Sequence, residues 1–485
     1  MSSLLALLPI LGVLIGLFAV AMLVPLGFAF FGPDAALHAY AAAIAITATA
    51  GLLLWLATKR FQRELQPRDG FLLVTLVWSV LPLFGMLPLL FALPDLSITD
   101  AYFEAMSGLT ATGATAFEGL DRMPLSINVW RCWLQYLGGL GVVVLAVAIL
   151  PLLGVGASQL FKAEMPGPMK EAKLTPRIAE TARGLWVVYV GLSVLCLVAY
   201  RAAGMGWADA FMHMCSTMGL GGFSSHDASF GYFDSGAIEA VAIVFMLLAG
   251  INFARYFMVW RARSLWPLLR DVEARAYLIS IGASIALITA YLAAHHEYPT
   301  VPEALRHTAF HVVSLATTTG YASADYAQWP LFAPMMMILL GCFAGCAGST
   351  AGGLKMLRML LLIKQARHEL VRIVHPRAVL PVSLGGASVP SPVMGSVIAF
   401  MMVYGATLAG LTLVLLFSGL EPITAATAVI ASVNNIGPGL GYVGPSVNFK
   451  GLSDFQTWVC TAGMLLGRLE LLTVLVLFTP QFWRK

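Results

Sequence analysis

Four stretches of this sequence set small or hydroxylated residues just before a glycine: Thr110-Ala111-Thr112-Gly113, Gly219-Leu220-Gly221-Gly222, Thr317-Thr318-Thr319-Gly320 and Asn434-Asn435-Ile436-Gly437. None contains a charged side chain, so the chemistry they offer is that of backbone carbonyls and hydroxyls. Carboxylate rings mark another type of cation pore and basic rings an anion pore, whereas neutral loops present carbonyl oxygens that replace an ion's hydration shell. Glycine permits the positive φ that turns successive carbonyls to one side. Neutral oxygens suit a weakly hydrated monovalent cation better than Mg²⁺, which dehydrates reluctantly. An ordinary Gly/Ser/Thr turn between helices explains any one loop; four in corresponding places argue against it.

A second cluster is the run Gly341 to Lys355, GCFAGCAGSTAGGLK. Glycine costs about 1 kcal/mol against alanine in a helix, so this stretch is not expected to be a simple helix. Its alternative is close helix packing through Gly341, Gly345, Ser349 and Gly353 at four-residue spacing. A P-loop is excluded, because Gly353 is followed by Leu354 and only then by Lys355. Arg468 lies deep in an apolar span, where a central arginine costs about 2.5 to 3.5 kcal/mol, so it faces a watery cavity or a partner, or else snorkels. Glu470, two residues on, points to a different face and is the clearest intramembrane carboxylate. His213, His307 and His311 accompany the pore segments without an acidic third ligand, which favours packing or loop hydrogen bonds over metal. Six scattered cysteines without a CxxC pair read as small buried hydrophobes.

The elements that must position these residues are membrane helices. The chain has 485 residues, 59% hydrophobic and only 11% charged, about half the charge content of a soluble domain. Apolar runs of about 20 residues recur near Leu4 to Phe31, Ala35 to Ala57, Phe71 to Leu93, Asn128 to Leu153, Leu185 to Tyr200, Ile238 to Trp260, Tyr277 to Ala294, Leu331 to Ile363 (interrupted), Val393 to Phe417 and Phe455 to Phe478. The first has neither a basic leader nor a cleavage site and reads as a retained span.

The net charge of +4 is a remainder: 22 of the 28 Lys and Arg residues lie in Lys59 to Arg68, Lys162 to Arg183, Arg255 to Arg275, Lys355 to Arg377 and the C-terminal pair, while 15 of the 24 acids lie on the opposite side. Basic loops stay inside, which puts both termini in the cytoplasm and an acidic face outside. That face would concentrate cations, screened beyond about 10 Å.

Each glycine-ended loop follows an acidic residue and an amphipathic stretch too short to span: Asp100 to Thr115, Asp209 to Ser224, Glu303 to Ala322 and Glu421 to Gly439. The glycines are 109, 98 and 117 residues apart, an internal repeat. A non-spanning half-helix must re-enter, and its non-helical end is tolerated at membrane depth only when buried or lining water. The predicted fold is all-α and polytopic: two N-terminal transmembrane helices (1–69) and four pseudo-symmetric helix, pore-loop, helix repeats (70–160, 161–272, 273–378 with an interrupted second helix, and 379–485) around a central pore.

The runs TATGAT, LGGFSSHDASFGYF, TTTGYASADY and NNIGPGLG resemble the Trk/Ktr/HKT superfamily of cation transporters, and within it the TrkH-type membrane subunits of potassium-uptake systems. The resemblance covers nearly the whole chain. It implies a selective, gated, channel-like pore for potassium in the bacterial inner membrane, usually in a homodimer. It makes Gly113, Gly222, Gly320 and Gly437 filter glycines, with Ala111, Thr112, Leu220, Gly221, Thr318, Thr319, Asn435 and Ile436 coordinating potassium. It also makes Gly345, Gly348, Ser349, Thr350, Gly352 and Gly353 an intramembrane gate loop beside Arg468. Each loop keeps only the single glycine of the TVGYG filter of tetrameric potassium channels. The resemblance further implies that the basic inner face docks a cytosolic TrkA-type nucleotide-binding ring, besides binding anionic lipid. The chain itself has no GxGxxG, so potassium is the expected cofactor and no organic cofactor or nucleic acid is expected. Potassium symport with protons or sodium is the same-class alternative; an intramembrane enzyme lacks an HExxH or a nucleophile and base pair.

Overall fold

The computed structural model describes residues 2–32, 34–61, 66–148, 178–377 and 381–484. Most of the basic segment Lys162 to Arg183, the end of the Asn128 to Leu153 span and Lys485 lie outside the described residues. Within them the chain is all-helical, apart from a hairpin pairing Ser383–Leu384 with Ala387–Ser388.

Among the described residues, six helices are long and apolar enough to cross a membrane: Leu5–Phe31, Leu37–Thr58, Arg68–Ala92, Arg183–Ala202, Val272–Ala294 and Ser391–Phe417. Leu125–Ala148 adds a seventh long helix. The first two spans cross closely at Gly12 and Gly51, where a β-carbon at Gly51 would lie 2.8 Å from the Gly12 carbonyl oxygen. Small residues at such a crossing let backbones pack without side chains between them.

Two expected spans are not straight. Ile238 to Trp260 is a pair of helices, Gly236–Ala249 and Phe253–Ala262, bent by 88°. Gly250 ends the first, and the Asn252 side chain accepts from Ala254 N to start the second. Phe455 to Phe478 divides into Asp454–Arg468 and Leu472–Phe478 at 102°. The cause is two consecutive positive-φ residues, Glu470 (φ 55°) and Leu471 (φ 39°). Arg468 is therefore the last residue of a helix and not the middle of one. The Leu331 to Ile363 span is interrupted as expected: helix ends at Gly341 and resumes at Met356, so the alternative of continuous helical packing through Gly341, Gly345, Ser349 and Gly353 fails.

The four sub-spanning segments are half-helices, Ile98–Leu109, Trp207–Gly219, Val301–Ala316 and Pro422–Val433. The acid that opens each one has a local reason. Asp100, Asp209 and Glu303 sit in the first turn, and Glu421 is itself the cap, accepting from Thr424 N at 3.1 Å. Negative charge there complements the exposed N–H groups and the positive end of the helix dipole. Each half-helix packs against the outgoing helix of the preceding unit: the second against Leu125–Ala148, the third against Gly236–Ala249, the fourth against Phe332–Gly341, and the first against Asp454–Arg468. The series closes on itself, so the four C-terminal ends face a common centre.

Candidate functional site

All four half-helices end by the same hydrogen bonds. Thr112 N donates to Ser107 O (2.8 Å), Gly221 N to Ser216 O (2.9 Å), Thr319 N to Ser314 O (2.8 Å) and Ile436 N to Ala431 O (2.8 Å). This closure requires a left-handed residue just past the helix. Ala111, Leu220, Thr318 and Asn435 take that conformation at φ 51°, 53°, 60° and 53°, and two residues later Gly113, Gly222, Gly320 and Gly437 take it again at 84°, 79°, 87° and 97°. Left-handed backbone at every second residue is what sends successive carbonyls to one side.

The glycines then meet in a ring. A β-carbon at Gly113 would lie 2.0 Å from Gly221 O, at Gly222 1.9 Å from Thr319 O, at Gly320 2.1 Å from Ile436 O, and at Gly437 2.7 Å from Thr112 O. Each glycine thus abuts the carbonyl before the glycine of the next loop, and the fourth returns to the first. The twelve expected filter residues are brought together. The negative ends of four helix dipoles converge on the same point, which favours a cation.

Behind the ring, a side chain nine or ten residues before each glycine holds the ascending limb. Glu104 accepts from Ala116 N (2.9 Å) and Thr427 Oγ1 from Leu440 N (2.9 Å). His213 Nε2 bonds Ser224 Oγ (3.0 Å), and His311 Nε2 accepts from Ser323 N (3.2 Å) and Ala324 N (3.3 Å). His311 Nδ1 therefore carries the proton and donates to His307 O at 2.7 Å. His307 stacks on Tyr298 and bonds Ser323. The histidines are braces, and no group of metal-holding side chains occurs among the described residues. Aligning the segments on their glycines would have exposed this position in the first three; in the fourth the brace falls one residue earlier.

Glu104 also pairs with Arg131 (2.7 Å), both almost fully buried, and Arg131 donates on to Ser224 O (3.1 Å) and Thr115 Oγ1 (3.1 Å). The pair links the first and second loops. Gln135 braces the second loop, donating to Gly221 O (2.7 Å) and accepting from Phe223 N (3.0 Å). No periodicity in the sequence marked it. Glu239 is likewise buried and bonded to Arg306. Glu104 and Glu239 are thus structural ion pairs, not part of a free acidic field as the charge count implied. The six cysteines are buried and free.

The opposite side of the ring from the ascending limbs is filled by residues 342–355. Thr350 Oγ1 donates to Met218 O (3.0 Å) at the second half-helix, and Gly352 N to Thr318 Oγ1 (2.7 Å) in the third loop. A β-carbon on Gly352 would lie 2.1 Å from Asn434 O of the fourth loop. Arg468 is 6% exposed and donates to Thr350 O (3.0 Å) and Gly138 O (3.2 Å). Loop, ring and arginine form one packed unit. Glu470 turns away and pairs with Arg358 at 2.6 Å.

Above the ring is a cavity of about 90 Å³ bordered by Gly113, Gly222, Gly320, Arg131 and His226. The His226 ring lies flat on Tyr232, with Nδ1 on Asp121 and Nε2 3.5 Å from Asp209. Burial alone would lower its pKa, but the hydrogen bonds and charges of Asp209 and Asp121 outweigh burial and raise it. A raised histidine pKa stabilises fully below the unfolded value of about 6.5 and loses that contribution as pH rises through the folded value. His226→Gln is therefore expected to lower the melting temperature in detergent at about pH 6, with the deficit shrinking as pH rises. A deficit independent of pH would contradict the charged pair.

Half-helices converging on a ring of neutral carbonyls, inside a multi-pass helical body, define a membrane transport protein. The chain belongs to the TrkH family, whose model, described as a cation transport protein, matches residues 36–485. This is a transport family, not a family of enzymes. The chain is 44% identical to the Trk system potassium uptake protein TrkH of Halomonas elongata over 484 residues, covering 100% of both chains. It is 43% identical to TrkH of Escherichia coli K12 over 477 residues, 98% of each. The crystal structure of the potassium transporter TrkH from Vibrio parahaemolyticus superposes with a TM-score of 0.92 at 40% identity, over 99% of this chain and 100% of that one.

Proposed function

We propose that the protein takes up potassium along an axial path through the ring, with backbone carbonyls of Ala111, Thr112, Gly113, Leu220, Gly221, Gly222, Thr318, Thr319, Gly320, Asn435, Ile436 and Gly437 as the selectivity filter. The observation that carries the reading is the closed ring in which each glycine abuts the next loop's carbonyl. Its relatives in Halomonas elongata and Escherichia coli, both potassium uptake proteins by name, support it. Residues 345–353 are the gate: Gly348 and Gly353 turn the chain at positive φ, Gly345 packs against Ala351, Ser349 holds the turn by donating to Cys346 O, Thr350 and Gly352 lie against the half-helix ends, and Arg468 holds the Thr350 carbonyl. A fixed positive charge at that point also repels a cation until the loop moves.

The repeats divide near 70–160, 161–272, 273–378 and 379–485. The protein works in the bacterial inner membrane with both termini cytoplasmic, as a homodimer, and its basic inner face receives a TrkA-type nucleotide-binding ring. Symport has less support, because the acids nearest the helical core among the described residues are already bonded: Glu104 to Arg131, Glu239 to Arg306, Glu470 to Arg358, and Glu273 to backbone amides. Rubidium uptake by purified protein in liposomes tests the reading. Uptake down the rubidium gradient alone, resistant to sodium competition and indifferent to an imposed pH gradient, is expected. Uptake only with a proton or sodium gradient would establish symport, and none with the regulator present would refute transport.

A further inference from the structure

The loop 342–355 hangs from two legs, and both are fastened on the side away from the ring. The descending leg is stitched to the bend in the broken span before it: Cys346 N donates to Gly250 O (3.1 Å) and Phe253 N to Gly348 O (3.1 Å). Gly348 (φ 72°) packs directly on the Asn252 side chain, which caps the helix after that bend. The returning leg closes on the descending one through Leu354 N to Cys342 O (2.7 Å) and Met356 N to Gly345 O (2.8 Å).

Between the legs stands Glu273, in the first turn of Val272–Ala294 and only 4% exposed. One of its oxygens, Oε1, accepts from Ala347 N at 2.7 Å and from Leu357 N at 3.1 Å. A single carboxylate oxygen thus joins the two ends of the segment that carries Thr350 and Gly352. Lys355 Nζ donates to Ala351 O (2.5 Å) of the same loop, and Asp271, two residues before Glu273, pairs with Arg255. By sequence position Glu273 is an acid in a basic loop; in the fold it is a buried acceptor for two backbone donors, and hydrogen bonds to a carboxylate are stronger than those between neutral groups.

We propose that Glu273 is a positioning residue for the gate: it ties the two legs together and so keeps the apex, Thr350 to Gly352, pressed against the half-helix ends. The legs form a fixed frame, and opening is a movement of the apex alone, away from Met218 O, Thr318 Oγ1 and Arg468. This rests on the reading of residues 345–353 as a gate.

The test is basal rubidium flux through full-length protein in liposomes without any regulator, for wild type, Glu273→Ala, Glu273→Gln, Arg468→Ala and the double variant Glu273→Ala/Arg468→Ala. Glu273→Ala is expected to raise basal flux about tenfold, and Glu273→Gln, whose amide oxygen still accepts but without charge, about threefold. The rubidium-to-sodium competition ratio stays at the wild-type value in both, because the ring is untouched. The double variant exceeds the larger single by less than the product of the two, since both act on one loop. Unchanged or reduced flux in Glu273→Ala protein that elutes like wild type overturns the proposal, as does a competition ratio that shifts along with the flux. Should the alanine variant not fold, the glutamine variant decides by the same two readouts. If Arg468→Ala is also without effect, the gate reading itself falls; if Arg468→Ala leaks and Glu273→Ala does not, only the role of Glu273 falls.

Discussion

Gly222→Ala is expected to reduce rubidium flux by about tenfold at the least, in protein that still reaches the membrane. Two costs coincide at this position. Gly222 sits at φ 79°, a conformation that costs an L-residue about 1–2 kcal/mol. Its new methyl would also lie 1.9 Å from the Thr319 carbonyl oxygen, closer than any real contact. That neighbour is backbone, held by its own closure onto Ser314, so it cannot swing aside as a flexible side chain would. The displaced oxygen is one of those assigned to the ion, and at about 1.4 kcal/mol per decade the conformational cost alone gives the tenfold loss. The four sites form a graded series. Gly113 and Gly320 leave 2.0 and 2.1 Å and should behave like Gly222, while Gly437 leaves 2.7 Å and should be the mildest. Rubidium uptake in liposomes, normalised to protein inserted, measures the series. Full flux in Gly222→Ala would mean that the ring is a packing feature and not the ion's path.

Arg468→Ala is expected to act in the opposite direction, raising basal flux severalfold. Arg468 ends its helix because the two positive-φ residues at 470 and 471 turn the chain by 102°, which leaves the guanidinium buried between two carbonyls that each accept from one of its nitrogens. Removing it deletes the bonds to Thr350 O and Gly138 O, together with a positive charge next to the ring. A hydrogen bond from a charged group is worth about 1.5–3 kcal/mol, enough to shift a loop equilibrium by one or two decades. Lysine at this position keeps the charge but lacks the planar fork that reaches both carbonyls, so Arg468→Lys should fall between wild type and alanine. Flux unchanged or lowered in Arg468→Ala vesicles would contradict the gate.

Most of the ring was legible in the sequence because its requirements are local. A half-helix too short to span, an acid at its start and a glycine at its end each leave a mark on residue type, and four copies multiply the signal. The break at Gly341 was legible for the same reason, since five glycines within the run to Lys355 leave little helix propensity. The bends at residues 251–252 and 469–471 were not legible. Hydropathy is indifferent to backbone dihedrals, and Glu470 and Leu471 are residue types that seldom announce positive φ. The acids misled in another way: Glu104, Glu239 and Glu273 look like loop charges by position, and only tertiary contact shows that each is buried against a specific partner. Gln135 had no signal at all, because a lone polar residue in a span gains meaning only from the Gly221 carbonyl it meets across the fold.

If the ion rides on backbone oxygens of the four neutral loops, its position will show in crystals of the protein grown in rubidium. Anomalous scattering should show density on the axis inside the ring of Thr112, Gly221, Thr319 and Ile436 carbonyls, and it should fade when sodium replaces rubidium. Density at the acidic outer mouth alone, or beside Glu470, would contradict the account.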